Sequence, residues 1–251
     1  MTSTRTTSDG AAPSLRLQGR FLIDDQLLFD QLSLDLPAGR WTCLLGSSGI
    51  GKSTILRLIA GLPTGGVFDG TISSSDQQDL TGRVAFMAQA DLLAPWLTVA
   101  QNIALGHRLR GHRLDPARLE QIIGQVGLSA HAGKRPAELS GGMRQRAALA
   151  RTLVRDTPFV LLDEPFSALD ARTRADMQEL AWTLLAGRTV MLVTHDPAEA
   201  ARLGERIVLM RRDGLHAIEA PDSPPIRAVD DAQALMRQGE LTVMLREPEP
   251  G

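Results

Sequence analysis

The nine residues Gly46-Ser47-Ser48-Gly49-Ile50-Gly51-Lys52-Ser53-Thr54 fill every fixed position of the pattern G-x-x-x-x-G-K-[S/T]. That pattern serves phosphate binding. Glycines let the backbone curl tightly enough to aim successive N–H groups at one anion, and the positive end of a following helix adds to the field. Lys52 is then the residue to reach the β and γ phosphates of a nucleotide, and Ser53 the residue to ligate Mg²⁺. Only two of the 27 basic residues are lysines, Lys52 and Lys134. A chain that otherwise uses arginine keeps lysine where a compact point charge suits a phosphate cradle.

Four further places carry chemistry. Phe159-Val160-Leu161-Leu162 runs straight into Asp163-Glu164, an apolar strand that delivers two carboxylates to one end of a sheet. Asp163 is suited to hold Mg²⁺ through water, and Glu164 to orient or deprotonate an attacking water. The strand Thr189–Val193 reaches Thr194-His195-Asp196, where His195 can donate to a γ phosphate, and Val84–Met87 ends near Gln89. Open α/β sheets bind ligands at the carboxyl ends of their strands, so a polar residue there is well placed. Ser140-Gly141-Gly142 opens an alanine-rich helix, and its unpaired backbone N–H groups make a second anion site.

The elements that must position these groups are legible from periodicity. Trp41–Leu45 reads as a buried strand, and Ile55, Leu56, Leu58 and Ile59 have helical spacing up to Gly61 and Pro63, which gives strand, loop, helix. Alternating Leu15, Leu17 and Leu32, Leu34, Leu36 predict strands in an antiparallel patch, and Pro37-Ala38-Gly39 a turn into the loop-bearing strand. Asp115-Pro116 marks a helix start whose apolar face, Leu119, Ile122, Ile123 and Val126, stops at Gly127. A helix is predicted over 171–185, a hairpin at Asp213-Gly214, and one helix near 230–238 before a loose end.

At 251 residues, with 43% hydrophobic and 22% charged residues, the chain has an ordinary globular composition. Its formal net charge of -2 gives no reason to expect nucleic acid. The single cysteine, Cys43, excludes a disulfide framework and suits a reducing cytosol. No uninterrupted apolar stretch approaches the roughly 18 residues needed to span a bilayer, so another chain is needed to carry it to a membrane. The fold expected is α/β: a P-loop NTPase with a mixed central sheet, an N-terminal antiparallel β patch and an inserted α-helical subdomain at about 90–150. Its expected divisions are a disordered tail at 1–13, a nucleotide-binding body at 14–220 and a short C-terminal extension at 221–251.

With these pieces in order, the sequence resembles the ATP-binding cassette (ABC) family, the nucleotide-hydrolysing subunits of ABC transporters. Residues 46–54 match the Walker A loop, Gln89 the Q-loop, Leu139–Gln145 the signature, Phe159–Glu164 the Walker B strand, Ser167–Asp170 the D-loop and His195 the switch histidine. The resemblance implies ATP and Mg²⁺ as ligands, with Ser53, Asp163 and Gln89 around the metal and Glu164, His195 and Gln89 in hydrolysis. It also implies a homodimer in which Ser140, Gly141 and Gly142 bind the γ phosphate held by the partner subunit, with Asp170 among the nucleotide-binding residues. Two departures stand out: Met143 replaces the commonest signature Gln, and the chain has no tyrosine to stack on adenine, which leaves Phe21 as the nearest aromatic.

Within the family, Leu92–Ile103 with its Pro-Trp-Leu-Thr-Val, together with Met143, looks like the importer ATPases for nitrate, sulfonate, taurine and thiamine-precursor pyrimidines. Such a subunit is expected on the cytoplasmic face of the inner membrane, bound to integral permease subunits and through them to a solute-binding protein. Trp96 and Leu97 are expected on the exposed apolar patch that docks the permease. The stretch after Glu219 is too short for the regulatory domain that sugar importers carry. The alternative is a soluble cassette protein of DNA repair or translation. Repair cassettes carry a long coiled coil between Q-loop and signature, whereas Ser140 follows Gln89 by 51 positions, and translation cassettes join two copies, whereas this chain has one Walker A loop.

Overall fold

Leu15, Leu17, Leu32, Leu34 and Leu36 all point inward from two antiparallel strands, β1 (Leu15–Ile23) and β2 (Gln26–Leu36). A third strand, β4 (Val67–Ser74), pairs with the other edge of β1 and completes a three-stranded sheet. The computed structural model describes residues 12–24 and 26–247, so the expected tail lies outside the described residues except for Ala12 and Pro13. Those two are tied down: Ala12 N donates to Gly187 O, and Thr189 Oγ1 donates to Pro13 O.

The central sheet has six strands: β3 (Trp41–Gly46), β5 (Val84–Met87), β6 (Phe159–Asp163), β7 (Thr189–Thr194), β8 (Arg206–Arg211) and β9 (Gly214–Ile218). Their order is β5-β6-β7-β3-β8-β9, with parallel pairing throughout except the β8–β9 hairpin. Residues alternate between two apolar cores on its two faces, as the two-residue period of a strand requires. Leu44, Phe159, Leu161, Met191, Val193, Val208 and Met210 join helix α1 (Lys52–Ile59) and the three-stranded sheet on one face. Cys43, Leu45, Val160, Leu162, Val190, Leu192, Ile207 and Leu209 face the other helices on the opposite side.

Those helices are α2 (Val99–Leu109), α3 (Pro116–Gln125), α4 (Gly141–Leu153), α5 (Ala171–Leu184), α6 (Pro197–Leu203) and α7 (Ala232–Arg246). Asp115 caps α3 by accepting from Ala117 N, and Thr98 opens α2 in a capping box with Gln101. Helix α7 runs well past the predicted end at 238, and Leu241 and Ala234 anchor it in the helical-side core. Its composition hides this: apolar and polar residues occur all round it, so the inward stripe has little contrast in the sequence. Arg227, ahead of α7, is buried and donates to the carbonyls of Ala201, Gly204, Pro221 and Ser223.

Candidate functional site

Parallel strands in register bring their C-terminal ends to one edge. Leu45 of β3 lies opposite Thr194 of β7, and Asp163 of β6 lies opposite Val193, so the residues that follow these strands share one level. At this edge the chain leaves β3 at Gly46 and enters α1 at Lys52, with Gly51 in the left-handed region at φ 107°. A side chain at position 51 would be strained there and would also meet the Phe29 ring at 2.6 Å, so only glycine fits. Lys52 Nζ curls back over the loop and donates to Gly46 O and Ser47 O, both at 2.7 Å. Burial pulls its ammonium below the usual lysine range, and the nearby Glu164 and Asp163 act in the opposite direction.

Ser53 Oγ donates to Asp163 Oδ1 at 3.0 Å, an oxygen pair from two elements that fits a hard divalent cation. Burial pushes the Asp163 carboxyl up, opposed by this hydrogen bond. The next residue, Glu164, has φ 46° and a backbone N–H that donates to Val193 O at 2.9 Å. Its Oε2 receives Gln89 Nε2 at 3.1 Å and lies 3.0 Å from His195 Nδ1. The structure therefore brings Lys52, Ser53, Gln89, Asp163, Glu164 and His195 to one edge.

Ser140–Gly142 and Asp170 form a separate group. Ser140 caps α4 by accepting from Met143 N at 3.3 Å, and Asp170 caps α5 by accepting from Thr173 N at 3.1 Å. The two helix starts abut: a Cβ on Gly142 would sit 2.6 Å from Thr173 Cγ2. Gly142 thus has a packing reason within one chain that the sequence did not reveal. Among the described residues no hydrogen bond joins Ser140–Gly142 to Gly46–Thr54.

Phe21 is a correction. Its ring is 0% exposed, covered by the backbone at Gly66 and tilted against Phe29 at 6.1 Å, so it has no open face for a base. The cleft beside Ser47–Ile50 is lined instead by Leu27, Leu28, Phe29 and Arg211. Residue 21 points inward by the same two-residue alternation as Leu15 and Leu17, a signal that the sequence carried.

The ABC transporter family model matches residues 29–167, which contain the phosphate loop, Gln89, Ser140–Gly142 and the Asp163–Glu164 pair. The chain belongs to the ABC transporter family. It is an ATP-binding and ATP-hydrolysing subunit coupled to transport. An ABC transporter ATP-binding protein of Haemophilus influenzae is 41% identical over 223 residues, covering 86% of this chain and 91% of that protein. The aliphatic sulfonates import ATP-binding protein SsuB 2 of Agrobacterium fabrum is 48% identical over 185 residues, or 72% of this chain and 69% of that protein. SsuB of Escherichia coli K12 is 40% identical over 238 residues, covering 89% and 91%. Among solved structures, a bacterial Atm1-family ABC exporter with ATP bound superposes with TM-score 0.67 at 27% identity, over 81% of this ABC subunit and 38% of that chain.

Proposed function

We propose that this ABC subunit drives an importer of a small solute, of sulfonate type foremost, with nitrate, taurine and thiamine-precursor pyrimidines as the related solutes. The convergence of Gln89 and His195 on the Glu164 carboxylate, beside the Ser53–Asp163 pair, is the observation that carries the hydrolytic reading. Its similarity to SsuB supports the solute class.

The loop Gly46–Thr54 cradles the phosphates of ATP, and Lys52 exchanges its two carbonyl acceptors for phosphate oxygens. Ser53 would hold Mg²⁺ directly, with Asp163 and Gln89 in its surroundings, and the ion would supply neutralisation of charge between the β and γ phosphates. Glu164 orients a water and takes its proton as the water oxygen bonds to the γ phosphorus and the bond to the ADP oxygen breaks. Gln89 and His195 leave Glu164 for the γ-phosphate side when nucleotide enters. Ser140–Gly142 serves the nucleotide of a second copy, with Asp170 at the same face, so two ATPs close a homodimer.

Leu92 and Trp96 are 64% and 71% exposed on the segment after Gln89, an apolar surface suited to an integral permease subunit that links it to a solute-binding protein. Leu97, expected on the same surface, is half-buried. Among the described residues no helix is long and apolar enough to cross a membrane, and the proposed place is peripheral, at the cytoplasmic face of the inner membrane. Deleting the gene in its host and measuring uptake of labelled alkanesulfonate, taurine, nitrate and the pyrimidine tests the reading. Selective loss of one of these uptakes is expected, and unchanged uptake of all four overturns it.

A further inference from the structure

Glu199 is an acid for which the proposed chemistry has no use. It lies on α6, is 3% exposed, and is followed by the buried Ala200 and Ala201. An apolar residue would pack there without the cost of burying a carboxyl group, so the acid needs a local reason.

That reason is geometric. Thr194 Oγ1 donates to Glu199 Oε2 at 2.6 Å and accepts from Asp196 N at 3.0 Å. The Asp196 amide can only donate, so it takes a lone pair of the hydroxyl and leaves the hydroxyl proton for Glu199 Oε2. The two bonds straddle His195. Beyond it, Asp196 Oδ1 accepts from Ala198 N at 2.8 Å and Asp196 Oδ2 from Arg174 Nη1 at 3.2 Å, while Arg174 Nη2 holds Leu169 O at 3.0 Å. The His195 ring is itself half exposed and has Glu164 as its polar neighbour. Packing cannot aim such a side chain, so its aim comes from the backbone turn beneath it.

We propose that Glu199 is a positioning residue for His195, acting through the Thr194 hydroxyl to fix the turn that aims the imidazole at the reacting phosphate. The proposal rests on the role given to His195 above. Steady-state ATPase kinetics on the purified chain test it with Thr194→Val, Thr194→Ser, Glu199→Leu, the Thr194→Val/Glu199→Leu double variant, His195→Ala, and Thr194→Val in the His195→Ala background. Thr194→Val and Glu199→Leu should each lower kcat about tenfold, the scale of one lost hydrogen bond, with KM for ATP changed less than about twofold. The double variant should fall no further than either single one, Thr194→Ser should stay near wild type, and Thr194→Val should add nothing to His195→Ala.

Additive losses, or wild-type kcat in Thr194→Val while His195→Ala is impaired, overturn the proposal and leave the role of His195 standing. Wild-type kcat in His195→Ala overturns both. If Glu199→Leu does not fold, the isosteric Thr194→Val and the hydroxyl-retaining Thr194→Ser decide between these outcomes on their own.

Discussion

Glu164 holds a left-handed backbone conformation at φ 46°, a state that costs a non-glycine residue of order 1–3 kcal/mol and clusters at working sites. The strain turns the carboxylate out of the strand direction and onto Gln89 and His195. Glu164→Gln should keep ATP bound, because Lys52 and the loop are untouched, while kcat falls about a hundredfold or more. Nucleotide binding and phosphate release measured on the same preparation check this; near-normal turnover would assign the water to another group. Glu199 carries a second prediction. Burial raises its pKa from 4.5 to about 7, with Asp196 acting in the same direction and Thr194, Arg174 and His195 against it. Between those values the native chain keeps a proton that the unfolded chain has released, so stability falls as pH rises through the window, by at most about 3 kcal/mol. Glu199→Gln should flatten that slope in thermal melts; an unchanged slope assigns it to other groups.

Helix α4 is more than the carrier of Ser140. Arg144 and Arg151 both grip the turn after Gln89: Arg144 Nε donates to Asp91 Oδ2 at 3.1 Å, and Arg151 donates to Asp91 O at 2.6 Å and Leu92 O at 2.7 Å. A movement of that turn is therefore shared with the start of α4 and with the Leu92–Trp96 surface. Replacing Leu92 and Trp96 together by Asp should leave ATPase activity of the isolated chain within about twofold and abolish copurification with permease subunits. If the variant instead unfolds, the surface belongs to the core. The elements that position the site were legible where composition has contrast: the loop glycines, the Asp115-Pro116 start, the four apolar residues before Asp163. The arginine grips were not, because long charged side chains in a helix read as a solvated face. The inward turn of Phe21 was legible, since it shares the parity of Leu15 and Leu17, whereas the burial of Glu199 was not, because an acid in a short helix reads as solvated.

In the whole molecule, the two proposed anion sites of one chain have no hydrogen bond between them among the described residues, and a symmetric pair is the assembly we propose to bring each to the other's nucleotide. With Glu164→Gln to hold ATP and cysteines at Ser47 and Ser140, oxidation should give a covalent dimer only when ATP is present. Cys43 can remain in that background, since it is fully buried and burial pushes its thiol far above the reactive range. A crosslink confined to one chain by mass and peptide mapping would rule the shared site out. The tryptophans divide along the same architecture. Trp41, on β3, lies against Trp182 of α5 with ring centroids 5.2 Å apart at 36°, while Trp96 is 71% exposed on the surface proposed to face a permease. With three tryptophans and no tyrosine in the chain, its ultraviolet optics separate into a coupled interior pair, visible in near-UV circular dichroism, and one emitter open to aqueous iodide. The dichroic signal then follows whether α5 stays seated on the sheet, and the quenchable emission follows whether another protein covers Trp96, so folding and docking can be watched in one unlabelled sample.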